Sequence, residues 1–502
     1  MKKNIFILAF LSVFGFVSAQ TEYDALRLSQ TDIVGSARYM SMGGAFGALG
    51  GDASALKDNP AGLGVFRKSE AAGTLDLSIN TFSPITWFNM QNNQESSTKL
   101  SFNNFSYIVA VPTGNEDGLL SSNISITYHK LKDYNKKFYI NGNASPGSFI
   151  DYLINFSNGK QGDISYDNYN MPWLTVLGYD GHLIDPIDNS LNFSTFLGLG
   201  ELVDPSYEMI QTGSLSEYSF GWGGNFNSKL FIGANLNIRS LNYSLNSYFT
   251  EYFEGGNYEL KNVLTQDGIG FNAKIGMIYL PTNNLRLGLS FHTPTFSSIA
   301  ESGYADLRST EIPTNEPNPA ETPYNNQGFN LWSPLQAQAS AAYLFGKKGL
   351  ISAEYDFINY TAARFSKNSN SVHNFADVNL EMGKVLNNVH SLKLGAEAKL
   401  TQNVALRAGY SLMTAANNST YENGKLLVPN SVNTNTEYFN QNYTANFVSA
   451  GLGYRTADWY IDASYTLRTQ KEDFYPYQDE ILKPAVLDGK RHSIAVTLGF
   501  KF

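Results

Sequence analysis

The feature that most restricts the fold of this chain is a period of two that returns along its length and is plainest at the C-terminus. There Ile494, Val496, Leu498, Phe500 and Phe502 share one face of an extended strand, opposite Ser493, Ala495, Thr497, Gly499 and Lys501. In Trp459 to Arg468, Trp459, Ile461, Ala463, Tyr465 and Leu467 oppose Tyr460, Asp462, Ser464, Thr466 and Arg468. Leu392 to Leu400, Leu285 to His292, Leu230 to Arg239 and Val404 to Leu412 repeat the split. A lone edge strand of a soluble sheet would not recur in this way. Apolar-out, polar-or-small-in alternation is the mark of an all-β, transmembrane antiparallel β-barrel. A charge on the lipid face near the midplane costs roughly 2–4 kcal/mol. Lys393, Glu397, Arg407, Asp462, Arg286 and Arg239 are therefore expected to point into the lumen.

The connections between strands alternate in length. Short turns are expected at Pro112 to Gly118, Asn227 to Lys229, Pro281 to Asn284, Gly346 to Lys348, Thr401 to Asn403 and Thr456 to Asp458. Long polar loops are expected at Thr81 to Glu95, Asn135 to Gly213, Ser247 to Asp267, Ser297 to Ser333, Ser366 to Asn388, Thr414 to Gln441 and Lys471 to Gly489. Together they join about fourteen strands, an even number, as bacterial single-chain barrels require, with both termini on the periplasmic side. The last strand must then close the barrel against the first, near Ala72 to Asn80. Its terminal aromatic also resembles the signal read by the barrel-assembly machinery, an expected partner during biogenesis. Outer-membrane lipid and lipopolysaccharide are the expected surroundings.

The N-terminus supports export. Lys2 and Lys3, the apolar run Ile5 to Phe16 and the small residues Val17-Ser18-Ala19 have the layout of a secretory signal peptide cut before Gln20. No later run of about 20 apolar residues exists to form a membrane helix. Cysteine is absent, so neither disulfides nor a thiolate enzyme are available. The net charge of −9 argues against nucleic acid as a partner. Aromatics reach 14% while charged residues are only 16%, against about a quarter charged in soluble domains. Tyrosine, numbering 31, suits a membrane–water boundary because its ring is apolar and its hydroxyl stays wet.

Between Gln20 and Lys68 the chain does not alternate, yet it is too apolar and too rich in glycine for a solvated tail. It carries Met42-Gly43-Gly44-Ala45-Phe46, then Asp52-Ala53-Ser54-Ala55, then Asn59-Pro60-Ala61-Gly62-Leu63. This series, over about thirty residues, resembles the N-terminal hatch of the FadL family of outer-membrane transporters for hydrophobic compounds. The resemblance implies a barrel plugged in its lumen by that hatch. Substrate would enter through the extracellular loops and leave sideways through a gap in the wall. The expected organisation is a signal peptide at 1–19, a hatch at 20–68, and a barrel at 69–502 whose longest loop is 135–213. Met42, Gly43, Gly44, Phe46, Asp52, Asn59, Pro60, Ala61 and Leu63 are the candidate hatch and gating residues. Asp76, Lys274, Glu354 and Arg407 are candidates for tying the plug to the wall.

Within the longest loop, Phe149, Ile150, Leu153, Ile154 and Phe156 recur at helical spacing, and Trp173, Leu174 and Leu177 follow Pro172. In the resembled family, helices of an extracellular loop first capture the substrate. These eight residues are accordingly the candidate capture site, the alternative being a loop core that only caps the barrel.

Enzyme chemistry finds no foothold. The six histidines, at 129, 182, 292, 373, 390 and 492, show no metal-ligand spacing. No Gly-x-Ser-x-Gly elbow occurs, and the spacing of Gly44, Gly47 and Gly50 lacks the Lys-Ser or Lys-Thr of a phosphate loop. A lipase triad assembled from neighbouring strands would escape this test. The expected function is passive uptake of a hydrophobic small molecule, such as a long-chain fatty acid, without cofactor or metal. Two alternatives stand beside it. One is a shuttle barrel for secreted proteins resembling PorV of the type IX secretion system, and the other is a general porin with an open lumen.

Overall fold

The computed structural model describes residues 20–502 apart from 84–85, 161, 169–170, 188–191, 199, 311–316, 370, 372–373, 418–433 and 478–482. The expected signal peptide lies outside the described residues, as do His373 and much of the expected loop from Thr414 to Gln441. Fourteen antiparallel staves form one closed wall. In order they are β1 (Glu70–Ser83), β2 (Glu95–Val109), β3 (Leu119–Asp133, resuming at Lys136–Asn141), β4 (Asp204–Phe226), β5 (Leu230–Phe253), β6 (Gly256–Tyr279) and β7 (Leu285–His292 and Phe296–Thr310). There follow β8 (Pro317–Glu321, Asn325–Trp332 and Gln336–Leu344), β9 (Gly349–Asn359 and Arg364–Lys367), β10 (Asn388–Lys399), β11 (Val404–Met413), β12 (Tyr438–Asn440 and Ala445–Arg455), β13 (Trp459–Tyr475) and β14 (Ala485–Lys501). Each expected short turn joins two staves. Closure is where the alternation placed it: β14 pairs with β1 from Glu70↔Lys501 to Ser83↔Asp488.

The two faces of the wall separate by polarity. On β10, Leu392 and Leu394 are 45% and 43% exposed, while Lys393 and Glu397 between and beyond them are 6% and 8%. Arg407 and Asp462 are buried, the Arg286 guanidinium donates to the Leu49 carbonyl, and Arg239 donates to Glu217. All six charges therefore turn inward. The lipid face carries Leu, Ile and Val between two aromatic levels. Tyr279, Tyr343, Tyr454 and Trp459 lie exposed toward the short-turn end, and Tyr218, Tyr355, Tyr410 and Tyr465 on the opposite side of the aliphatic band.

The long-connection end departs from expectation. Ser247 to Asp267, read as a loop, is strand on both sides of Glu254 and Gly255, because β5 and β6 pair without a break from Leu230↔Tyr279 to Phe253↔Gly256. Each has 24 residues, where a bilayer needs roughly 9–11. Strand likewise occupies parts of the expected loops Asn135 to Gly213, Ser297 to Ser333 and Lys471 to Gly489. The physical reason is an inversion of polarity at constant period. Low on β5 the inward residues are Asn235, Asn237 and Arg239, and the outward ones are Ile232, Leu236 and Ile238. Higher up, Leu241, Tyr243, Leu245 and Phe249 point inward, while Ser240 and Asn242 face solvent. The upper barrel thus has the water-facing exterior and apolar interior of a soluble sheet, standing on a transmembrane wall built the other way round.

Helices fill that upper interior. α1 (Glu22–Ser29) begins at Thr21, whose side chain and that of Asp24 form a reciprocal cap. α2, the short Ala37–Ser41, sits lower in the lumen, against β11 to β14, where Ala37 N donates to Thr497 at 2.7 Å. α3 (Phe149–Ser157), capped by Ser148 and Asp151, and α4 (Trp173–Asp180) come from the longest connection, and α5 (Ala376–Val385) from the one between β9 and β10. Among the described residues no helix is long and apolar enough to cross a membrane.

Candidate functional site

From α1 to Val65 the N-terminal segment lies inside the lumen as a plug, and its backbone is held by the wall almost group by group. Glycines at 43 and 44 adopt φ of +61° and +77°, a left-handed conformation that costs glycine nothing. They carry the chain through a turn pressed against β10 to β12: Ser411 donates to the Gly43 carbonyl at 2.6 Å, and the Gly43 N–H donates to Ser449 at 3.2 Å. Met42 and Phe46 are buried beside it. Ser352 donates to the Ala45 carbonyl at 2.6 Å, and the N–H groups of Phe46 and Gly47 donate to Glu354 at 3.1 and 2.6 Å.

The second half of the motif closes on itself and on the opposite wall. Asp52 caps a 3-10 turn (Ala53–Lys57) by accepting from Ser54 N at 2.9 Å, and also accepts from Ser36. Asn59 caps the next turn (Pro60–Val65): its Oδ1 accepts from Ala61 N at 3.1 Å, while its Nδ2 donates to Gly47 O at 2.7 Å and Met277 O at 3.3 Å. Ala61 and Leu63 are fully buried, and Asn123 of β3 donates to the Leu63 carbonyl at 2.8 Å. The wall is made of glycine where these turns touch it. A Cβ at Gly233 would sit 2.3 Å from Pro60 O, and one at Gly409 would sit 2.2 Å from Gly43 N.

Of the four charges expected to tie plug to wall, Glu354 does so as described, and Lys274 donates to Lys57 O at 2.8 Å. Arg407 acts through a shared partner, since Glu397 accepts from it at 2.7 Å and from Arg38 of the plug at 3.0 Å. Asp76 accepts from Ser493 of the wall at 2.5 Å and reaches the plug only indirectly, past Arg491, which donates to Asp32 at 3.3 Å. Burial acts to raise the Asp32 carboxyl, but the Arg468 and Arg491 guanidiniums outweigh it and hold the group below the usual carboxylate range.

Seven of the eight candidate capture residues gather in the upper barrel, and Trp173 lies apart from them. Phe149, Ile150 and Leu153 of α3 and Leu174 and Leu177 of α4 are buried in one apolar cluster with Phe249, Tyr258 and Leu260 of the wall. Ile154 and Phe156 lie half-buried at its margin, and Trp173 is partly exposed with its indole N–H donating to Tyr166 O at 3.3 Å. Glu251 of β5 fixes the start of α3, accepting from Ser148 Oγ at 2.5 Å, Phe149 N at 2.9 Å and Tyr258 OH at 2.8 Å.

Sequence reading missed a break in the wall. β2 pairs with β1 from Glu95 to Ile108, but with β3 only over Asn104–Val109 against Ile124–His129. Above that point β3 bulges at Lys130 to Lys132, and the seam is crossed by side chains: Lys99 to Asp133 at 3.2 Å, and Asn135 donating to Ser97 at 3.3 Å. β3 leans onto the plug instead, where Leu131 O accepts from Asp32 N at 2.8 Å and Lys132 donates to Arg27 O at 3.3 Å. Lys132 is level with Leu215 of β4, itself level with Leu241 of β5, so the seam opens at the height where the interior turns apolar. The available signals were two runs where alternation fails: Asn103-Asn104 on β2, both buried at a register shift against β1, and His129, Lys130 and Leu131 on β3, three consecutive buried residues. Behind the seam lies a cavity of about 120 Å³ between α1 and the wall.

No family model and no curated protein matches this sequence. Solved structures do. A FadL homologue of Pseudomonas aeruginosa superposes with a TM-score of 0.53 at 12% identity, covering 94% of this chain and 100% of the other. The toluene transporter TodX of Pseudomonas putida gives 0.52 at 14%, covering 94% and 99%. At such identities the likeness speaks for the fold and is silent on cargo. This chain has the FadL/TodX fold, a fourteen-stranded transmembrane barrel closed by an N-terminal hatch.

Proposed function

We propose that this chain is a passive outer-membrane channel for hydrophobic small molecules, taken from outside and released sideways. The observation that carries the reading is the coincidence of three features at one height: the top of a sealed plug, the foot of an apolar interior, and the unzipped seam between β2 and β3. A pore for polar solutes needs a continuous wet bore instead. An apolar solute gains roughly 25 cal/mol for each Å² it removes from water, so an apolar interior above the plug favours its capture, with Ile154, Phe156 and Trp173 at the rim as first contacts. The plug blocks passage straight down, and the seam offers lipid as the next solvent. The names of the structural neighbours, a FadL homologue and a toluene transporter, support a hydrophobic cargo. Long-chain fatty acids are our specific expectation. Export behind a signal peptide at 1–19 and gating by the Met42 to Leu63 motif belong to the same proposal.

The absence of cysteine makes the seam testable, because any engineered pair is the only thiol pair present. Ser97→Cys with Asn135→Cys, joined by a disulfide or a short bis-thiol linker, should abolish uptake of a labelled fatty acid, and reductant or linker cleavage should restore it. Full uptake through the joined protein would sink the sideways route.

A further inference from the structure

Seen from the lipid, the wall is not even. Just inside the short turns, the outward positions are Gly349 on β9, Ala396 and Ala398 on β10, and Ala408 on β11. They lie shoulder to shoulder, since Gly349 is level with Ala398, and Ala396 with Ala408. Bulkier side chains surround them. Phe345, 51% exposed, and Ile351 bound one side, Leu406 the other, and Leu394 and Tyr410, themselves paired, stand above. The result is a hollow on the outer face of the barrel. A methylene fills about as much space as a water, roughly 30 Å³ in the liquid, so this hollow of about 430 Å³ takes on the order of a dozen carbons of one chain.

Positive charge gathers at the foot of the hollow. Lys348 lines it, Lys347 precedes that residue in the same turn, and the Lys399 N–H donates to Lys348 O at 2.8 Å. All three lysines are exposed, and among the described residues none forms an ion pair. The exposed carboxylates at this end belong to other turns: Glu116 and Asp117 between β2 and β3, and Asp458, which Lys68 faces at 3.6 Å. Glu397, whose backbone borders the hollow, turns its carboxylate into the lumen toward Arg38 and Arg407. In a chain of net charge −9, this is a patch of one sign and the opposite one. Tyr343 and Phe345, with ring centroids 5.1 Å apart, mark the membrane boundary at this level. Lysine stems there can lie along apolar surface while the ammonium groups stay among head groups. A larger hollow of about 620 Å³ higher on the same face, between β4 and β9, has no charged residue in its lining.

We propose that the lower hollow and its three lysines hold an anionic glycerophospholipid of the periplasmic leaflet. One acyl chain lies over Ala396 and Ala408, and the phosphate sits among Lys347, Lys348 and Lys399. The short-turn end of a bacterial barrel faces the periplasm, and clustered lysines beside a membrane attract anionic head groups. The site is on the outside of the wall, remote from the lumen, and does not depend on what the barrel carries.

The test titrates the purified full-length protein in nonionic micelles with dioleoyl phosphatidylglycerol, dioleoyl phosphatidylethanolamine and oleate, and counts bound lipid by native mass spectrometry. Phosphatidylglycerol should bind roughly tenfold or more tighter than phosphatidylethanolamine, the scale of two or three lysines near one anionic head group. Lys347→Gln with Lys348→Gln and Lys399→Gln should erase that preference. Ala396→Phe with Ala408→Phe should fill the hollow and weaken binding of both phospholipids, in a barrel that stays heat-modifiable because both side chains face lipid. Equal affinity for the two phospholipids in the unaltered protein overturns the inference, and that comparison needs no variant to fold. A preference that survives the three glutamines, or unchanged binding once the hollow is filled, overturns it as well. Displacement of phosphatidylglycerol by oleate at equal concentration would make the hollow a fatty-acid site and also overturns it.

Discussion

Removing residues 20–66 should turn a closed barrel into one that conducts ions freely. In planar bilayers the full-length protein should show almost no current, and the shortened one large, steady steps. The expectation has two parts. First, the plug is the seal: Met42, Phe46, Ala61 and Leu63 are buried in the lumen, and wall glycines leave its turns no space to shift. Second, the wall keeps its own electrostatic balance without the plug. Arg407 pairs with Asp462 at 2.6 Å, Lys393 with Glu354 at 2.7 Å, and Lys274 with Glu217, all between wall residues. Groups that lose a plug partner, such as Arg286, would gain water. A shortened barrel as closed as the parent would show that something other than the hatch seals it.

A second large effect is expected at Lys393. Its ammonium lies 2.7 Å from Glu354 and 2.8 Å from Asp356, and those two are 1% and 3% exposed. Lys393→Leu leaves two facing buried carboxylates with no cation, while Glu354 still has to accept from the plug at Phe46 and Gly47. Breaking a buried ion pair by removing one partner costs roughly 3–5 kcal/mol. Urea unfolding followed by heat-modifiable gel mobility should register that loss. Adding Glu354→Gln and Asp356→Asn to the same chain should recover most of it, because the damage is an uncompensated charge and the three sites are coupled. A triple variant as unstable as the single one would mean that packing of the lysine stem carries the effect.

How far the fold was legible follows from what each solvent demands. Lipid enforces apolar residues on one face, so Leu392, Leu394, Ile461 and Val496 declare their strands from sequence. Above the membrane the demand reverses. Tyr243 and Leu245 now turn inward and Asn242 outward, and a reader looking for apolar-out alternation takes the stretch for loop although the period is unbroken. The hatch could be read because its turns need particular residues: glycine at 43 and 44 for positive φ, and Asn59 to cap while gripping the wall. The capture residues announced their helices by spacing but gave no hint that most would be buried against β5 and β6. The seam was least legible, since an unpaired ladder is a relation between β2 and β3 that neither strand states alone. Failed alternation marks it on both strands, at Asn103-Asn104 of β2 and at His129 to Leu131 of β3. The cavity behind it assembles Arg27, Lys132, Arg468 and Arg491 from distant parts of the sequence, beyond the reach of any local pattern.

On the proposed function, the barrel carries apolar molecules while staying shut to ions. The most direct measurement is uptake of labelled hexadecanoate by a bacterial host that lacks any such channel, with and without this protein, paired with single-channel recording of the same purified chain. Uptake well above the protein-free host, together with a bilayer that stays electrically silent, is the result expected. Ion-conducting steps without any gain in hexadecanoate uptake would contradict it.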